Sequence, residues 1–193
     1  MKRIRIIAIC ILTAFAETAE SGQLIASDDK ADDPFVQLVK ATRFVANYKE
    51  SAIVSAKVFG ARAQGSDKEY AGFMAKVVSA DLTDIQDCMS RVYAAGPLTS
   101  TDAESLVAIF KSPIGTRVLD LSQSMVIADI ERGIHKPPDP SVLTEAERRE
   151  LAMLYQTPVF ARYNALVTSQ LFSVAVGACL ALSKVAKESG IKF

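Results

Sequence analysis

An internal repeat at an offset of 45 residues constrains this chain more than any other feature. Leu98-Thr99 pairs with Leu143-Thr144, Asp102 with Glu147, Leu106 with Leu151, Ile109-Phe110 with Leu154-Tyr155, Ser112-Pro113 with Thr157-Pro158, and Arg117 with Arg162, without a gap. Each copy reads as a helix, a Ser/Thr-Pro break and a second helix. Pro113 and Pro158 disfavour helical backbone at the preceding residue, while Ser112 and Thr157 offer oxygens to the orphan N–H groups of the next helix. The start of each copy carries a capping-box pattern, Thr101-x-x-Glu104 in the first and Thr144-x-x-Glu147 in the second. Residues 98–121 and 143–166 are therefore read as two tandem helix-Pro-break-helix units inside an all-α bundle.

The two units hold four helices, and the rest of the chain supplies about three more, giving about seven in all. Asp33-Pro34 is a cap followed by a first-turn proline, and Phe35, Leu38, Val39, Val45, Ala46 and Ile53 then keep one apolar stripe up to Gly60 or the Gln64-Gly65 turn. Ser66 and Glu69 form a second S-x-x-E box ahead of Tyr70, Phe73, Met74, Val77 and Val78. A helix from Leu82 to Ala95 turns Leu82, Ile85, Met89, Val92 and Tyr93 inward and stops at Gly96. Asp81, Asp84 and Asp87 then fall on its solvated face, and three acids without a His or Cys partner are not a metal pattern. The segment Gly133-Ile134-His135-Lys136-Pro137-Pro138-Asp139-Pro140 links the two units, and His135, the single histidine, is read as solvated.

From Tyr163 to Ser183 the chain runs without a charge, which predicts one long helix buried at the centre of the bundle. Its polar residues Asn164, Thr168, Ser169, Gln170 and Ser173 speak against a transmembrane span. Along it Ala165, Ser169, Ser173, Gly177 and Ala181 recur every four residues, a small-residue stripe that lets another backbone approach, within the fold or across a dimer.

The N-terminus combines Lys2, Arg3 and Arg5 with an uncharged run from Ile6 to Ala16 and the small-x-small site Ala14-Phe15-Ala16. This is the layout of a cleavable signal peptide over 1–16, and the uncharged run is too short for the roughly 20 residues of a span. Residues 17–33 read as a flexible acidic leader with Asp28, Asp29, Asp32 and Asp33, and 34–193 as a single helical domain. The whole chain carries 22 basic and 22 acidic residues, so removal of the signal leaves a mature charge of −3 and no basic block to hold nucleic acid. Export to the periplasm or beyond would place Cys88 and Cys179 in an oxidising compartment, where a disulfide between them competes with two buried thiols.

The segment Ile109-Phe110-Lys111-Ser112-Pro113-Ile114-Gly115-Thr116-Arg117 resembles the aromatic-x-Ser-Pro-x-Gly-x-basic signature of a bacterial family, domain-of-unknown-function family 2059. The similarity runs from Phe73 to Met125. It implies a small, exported, all-helical protein of Gram-negative bacteria and assigns no activity. The second copy departs from the signature at Thr157 and at Phe160, which stands where Gly115 does.

No Gly-rich phosphate loop, C-x-x-C pair, H-E-x-x-H or G-x-S-x-G run occurs in the sequence, so neither a cofactor nor a metal is expected. Arg117 and Arg162 have two readings: anion binding at the helix N-terminus beside each, or an ion pair with a carboxylate on the preceding helix that braces the corner. The first functional expectation is a non-enzymatic exported domain that binds another envelope protein or itself. A carrier of a small apolar ligand, with Phe35, Phe44, Phe59, Phe73, Phe110, Phe160 and Phe172 as its aromatic lining, is the second. A hydrolase acting through two carboxylates is the third.

Overall fold

Asp33 caps the first helix among the described residues, its carboxylate accepting from the N–H of Phe35 at 2.7 Å with Pro34 in the first turn. The computed structural model describes residues 33–62, 65–133 and 142–190; the signal segment, the leader as far as Asp32, and His135 lie outside the described residues. The described residues are helical without strands. In chain order they form α1 (Pro34–Ala41), α2 (Phe44–Arg62), α3 (Ser66–Ser79), α4 (Thr83–Ala94), α5 (Ser100–Lys111), α6 (Pro113–Arg132), α7 (Glu145–Tyr155), α8 (Pro158–Val167), α9 (Gln170–Ala181) and α10 (Lys184–Ser189).

Two of the expected runs are broken, which divides them into more and shorter segments. Between α1 and α2 the chain turns through Thr42 and Arg43, the latter at φ 55, and Arg43 donates to the Asp120 carboxylate at 2.8 Å. A left-handed residue with a Cβ costs about 1–2 kcal/mol, so the turn persists because packing on both sides holds it. The long uncharged run is broken once, at Ser169, and ends at Ser183. Ser169 accepts from the N–H of Phe172 at 3.1 Å and Ser183 from that of Ala186 at 3.3 Å, each starting a new helix. The axes of α8 and α9 diverge by 60°.

The single buried last helix is therefore corrected. The only fully buried residue of α9 is Cys179, and Leu171 is 81 % exposed. The centre belongs instead to α1, α4 and α5, whose Leu38, Ile85, Met89 and Leu106 lose essentially all contact with solvent. Divided at Ser169 and ended at Ser183, the uncharged run offers no single helix long enough to thread the bundle, and the centre is filled by α1, α4 and α5. Against this centre α2 and α3 form an antiparallel pair, α6 packs on α2, and α9 packs on α4. Cys88 on α4 and Cys179 on α9 are joined by a disulfide with Cα atoms 5.7 Å apart, which fits an oxidising compartment.

Two expected caps also move. The first repeat is boxed by Thr99 and Asp102, not Thr101 and Glu104: the Thr99 oxygen accepts from Asp102 N–H at 3.1 Å and the Asp102 carboxylate from Thr99 N–H at 3.0 Å. That is the position matching Thr144 and Glu147, which form the same box in the second copy at 3.2 and 2.7 Å. α3 starts with Gly65 as its cap, at φ 56 and with no side-chain cap bond, which makes Ser66 the first helical residue.

Candidate functional site

The repeat corners come first, because the motif residues meet there. In both copies the hydroxyl before the proline does two jobs. Ser112 Oγ donates to the Ile109 carbonyl and accepts from Gly115 N–H at 3.2 Å; Thr157 Oγ1 donates to the Leu154 carbonyl and accepts from Phe160 N–H at 3.4 Å. The breaks at Pro113 and Pro158 are thus chemically alike. They differ at the third helical position, where a Cβ on Gly115 would stand 1.9 Å from the Ile109 carbonyl oxygen. Phe160 carries such a Cβ and is buried against Phe110, Tyr155 and Tyr163, so the second corner has to be the wider one.

The arginines cross between the copies. Arg117 of the first unit lies 3.3 Å from Glu147 of the second and also donates to the Val142 carbonyl at 2.8 Å. Arg162 of the second unit forks onto Asp102 of the first, with Nε donating to Oδ2 at 3.2 Å and the second prong onto Oδ1. Each arginine therefore holds the capping-box acid of the other copy, the reciprocal contact pattern of a two-fold interface. The expected brace to the preceding helix is replaced by a brace between units, since the units pack against each other rather than each folding back on itself. Arg162 and the Thr99 N–H pull the Asp102 carboxyl down to about 2, and the Thr144 N–H and hydroxyl, with Arg117, lower that of Glu147. Both acids are spent in caps and ion pairs and stay ionised at neutral pH. This removes them as proton donors in a two-carboxylate mechanism.

Of the three acids singled out beside and along α4, Asp81 and Asp84 also serve helix ends. Asp81 accepts from Thr83 N–H at 3.0 Å, and Asp84, half-buried rather than solvated, accepts from Lys184 N–H at 2.6 Å and so ties α10 to α4. Among the described residues no group of three His, Cys, Asp or Glu converges on a metal-sized point.

The small-residue stripe does not form one seam. The 60° bend at Ser169 separates Ala165 from Ser173, both of which are exposed, while Ser169, Gly177 and Ala181 are half-buried. What the bend creates is a groove. The inner angle of α8 and α9, closed on its third side by α4 and the Gly96-Pro97 turn, encloses an open hollow of about 650 Å³. Val92, Ala95, Ala165, Leu166, Leu171 and Phe172 make its wall apolar, with the Cys88 end of the disulfide beside them and Arg91 as the one charged side chain. Leu171, at the rim, is the most exposed large apolar residue among those described. Sequence periodicity missed this surface because it assumed a straight helix. The signal that would have found it is Ser169, a hydroxyl three residues before a half-buried aromatic in an otherwise apolar run. Of the seven phenylalanines proposed as an aromatic lining, Phe73, Phe110 and Phe160 are core residues, and Phe172 lines the groove.

Fold and groove together define the class: a disulfide-bridged all-α bundle, built on two reciprocally braced helix-break-helix units, with an apolar groove beside them. No protein-family model, curated protein or solved structure matches this chain. Among the described residues no single helix is long and apolar enough to cross a membrane; α8 and α9 reach that measure only together, across their bend.

Proposed function

We propose that this protein is an exported, non-enzymatic interaction domain that receives an apolar helical segment of a partner protein in the groove between α4, α8 and α9. The observation that carries the reading is the groove itself: open, walled by apolar side chains and rimmed by the protruding Leu171. An apolar helix face laid in such a groove removes both surfaces from water, at roughly 25 cal/mol per Å² of apolar area buried. Arg91 and Ser169 are its polar groups, a set suited to orienting a bound segment rather than to moving protons. Export is supported by the signal-peptide layout of residues 1–16 and by the disulfide, and the resemblance of residues 109–117 to a family of exported proteins points the same way.

A photo-crosslinking residue at Ala165, compared with one at Ser105 on α5, tests the reading in the compartment to which the protein is exported. Adducts to one partner from Ala165 that vanish in Leu171→Asp support it. Equal labelling from both positions, or none, refutes it. The second reading, a carrier of a small apolar ligand, is favoured by the volume, which lies inside the roughly 300–1,000 Å³ range of ligand sites. Native mass spectrometry separates the two, since a carrier leaves the cell with a small-molecule mass increment that Leu171→Asp removes.

A further inference from the structure

A second hollow, of about 280 Å³, lies between α2, α6, α8 and α9 and shares the Phe172 ring as a wall with the groove. Its chemistry is different. Tyr48, Ser51, Gln123 and Tyr163 bring polar atoms to it beside the rings of Phe44 and Phe172, and none of its lining residues is charged. The hydrogen bonds already made here decide what is left over. Gln123 Nε2 donates both its protons into α2, to the Asn47 carbonyl at 3.1 Å and to Ser51 Oγ at 3.3 Å, leaving the carboxamide oxygen as an acceptor. On the opposite wall the Thr42 hydroxyl donates to the Val39 carbonyl at 3.0 Å, and the Tyr93 and Tyr163 hydroxyls pair with each other. The hydroxyls of Tyr48, Ser51 and Tyr163 can either donate or accept, whereas the Gln123 carboxamide oxygen can only accept. Burial pushes the Tyr48 phenol to about 12 and Tyr163 well above its usual value, so these groups stay neutral.

From this inventory we infer that the hollow is a binding site for a small uncharged single-ring molecule carrying an O–H or N–H donor. The ring stacks in the aromatic wall, and the donor reaches the Gln123 carboxamide oxygen. The volume, near the lower limit of roughly 300 Å³ for ligand sites, admits one ring rather than a fused pair with substituents. An anion is disfavoured because no cation faces it, and a ring without a donor leaves the Gln123 oxygen desolvated and unpaired. The site stands independently of the groove, since its lining and its ligand chemistry share only Phe172 with it.

The test uses the full, oxidised chain and three probes of one ring size: phenol, anisole and benzoate. Titration calorimetry, with tyrosine-ring and Gln123 side-chain NMR shifts as the site reporter, is expected to give saturable phenol binding with Kd about 1 mM. Anisole, which lacks the donor, and benzoate, which carries a charge, are expected to bind at least tenfold more weakly. Gln123→Leu removes the acceptor and is expected to weaken phenol at least tenfold; Ser51→Leu, which fills the hollow, is expected to abolish it. If either variant fails to fold, the other carries the comparison. Absence of saturable phenol binding overturns the site, as does binding of anisole as tight as phenol, or phenol binding unchanged in the folded variants.

Discussion

Replacing Gly115 by alanine puts the corner of the first repeat to a direct test. The added Cβ would lie 1.9 Å from the Ile109 carbonyl oxygen and 2.7 Å from both Ile109 C and Phe110 Cα. All three atoms are backbone, so no side chain can swing aside. Real Cβ contacts stay at 3.0 Å or more, and the Ile109 carbonyl has to retreat by over an ångström. That carbonyl accepts from both the N–H and the hydroxyl of Ser112, so retreat loosens the bonds that set the break. Overpacking costs about 1–3 kcal/mol and each lost hydrogen bond about 1 kcal/mol. Against this stands a gain of at most about 1 kcal/mol for removing a helical glycine. The net is a loss of about 2–4 kcal/mol, or roughly 5–15 °C in Tm for a chain of this length. Gly72 provides the control, since it sits in α3 with nothing within 4 Å of its would-be Cβ. Gly72→Ala is expected to stabilise by about 0.5–1 kcal/mol. Urea melts of both variants give substitutions of identical chemistry and opposite sign. A Gly115→Ala midpoint equal to or above wild type would refute the close-packed corner.

Removing the disulfide as Cys88→Ala with Cys179→Ala opens a loop of sequence separation 91. It is expected to cost about 4–5 kcal/mol by the chain-entropy relation. Intact-mass analysis of unreduced protein should show no free thiol among these two, and two alkylated cysteines would contradict the bridge. Asp102 is held below its usual value of 3.8, at about 2. A depressed carboxyl contributes stability that is full above its unfolded value and lost as pH falls through the folded one. Wild type is therefore expected to lose its advantage over Asp102→Asn between pH 3.8 and about 2, and a difference that stays constant across that window would remove the Arg162 pairing as its cause. Leu171→Asp changes a side chain that is 81 % exposed, so stability should stay within about ±0.5 kcal/mol while groove adducts disappear. A large drop in Tm would mean that Leu171 is a packing residue.

Local chemistry was legible at several of the points where a cap or a proline acts over three or four residues. Asp33 with Pro34, the breaks at Pro113 and Pro158, and the box at Thr144 and Glu147 all follow from short-range hydrogen bonding that the order of residues specifies. The same register held the correct first box, since Thr99 and Asp102 stand opposite Thr144 and Glu147; the nearer match to S/T-x-x-E at Thr101 obscured it. The all-α class followed from apolar periodicity, because helices need only their own neighbours in the chain to satisfy their backbones.

Tertiary structure decided the rest. That Arg117 holds Glu147 and Arg162 holds Asp102, instead of each bracing its own corner, depends on how two similar units pack, and periodicity is silent on the relative placement of helices. The bend at Ser169 is of the same kind: an apolar run supports either one straight helix or two at 60°, and the choice lies with the core that the flanking helices leave open. The groove and the tyrosine-lined hollow both arise at that bend, on either side of Phe172. A sequence specifies the caps that can end a helix, while the packing of the remaining helices determines which of them are used.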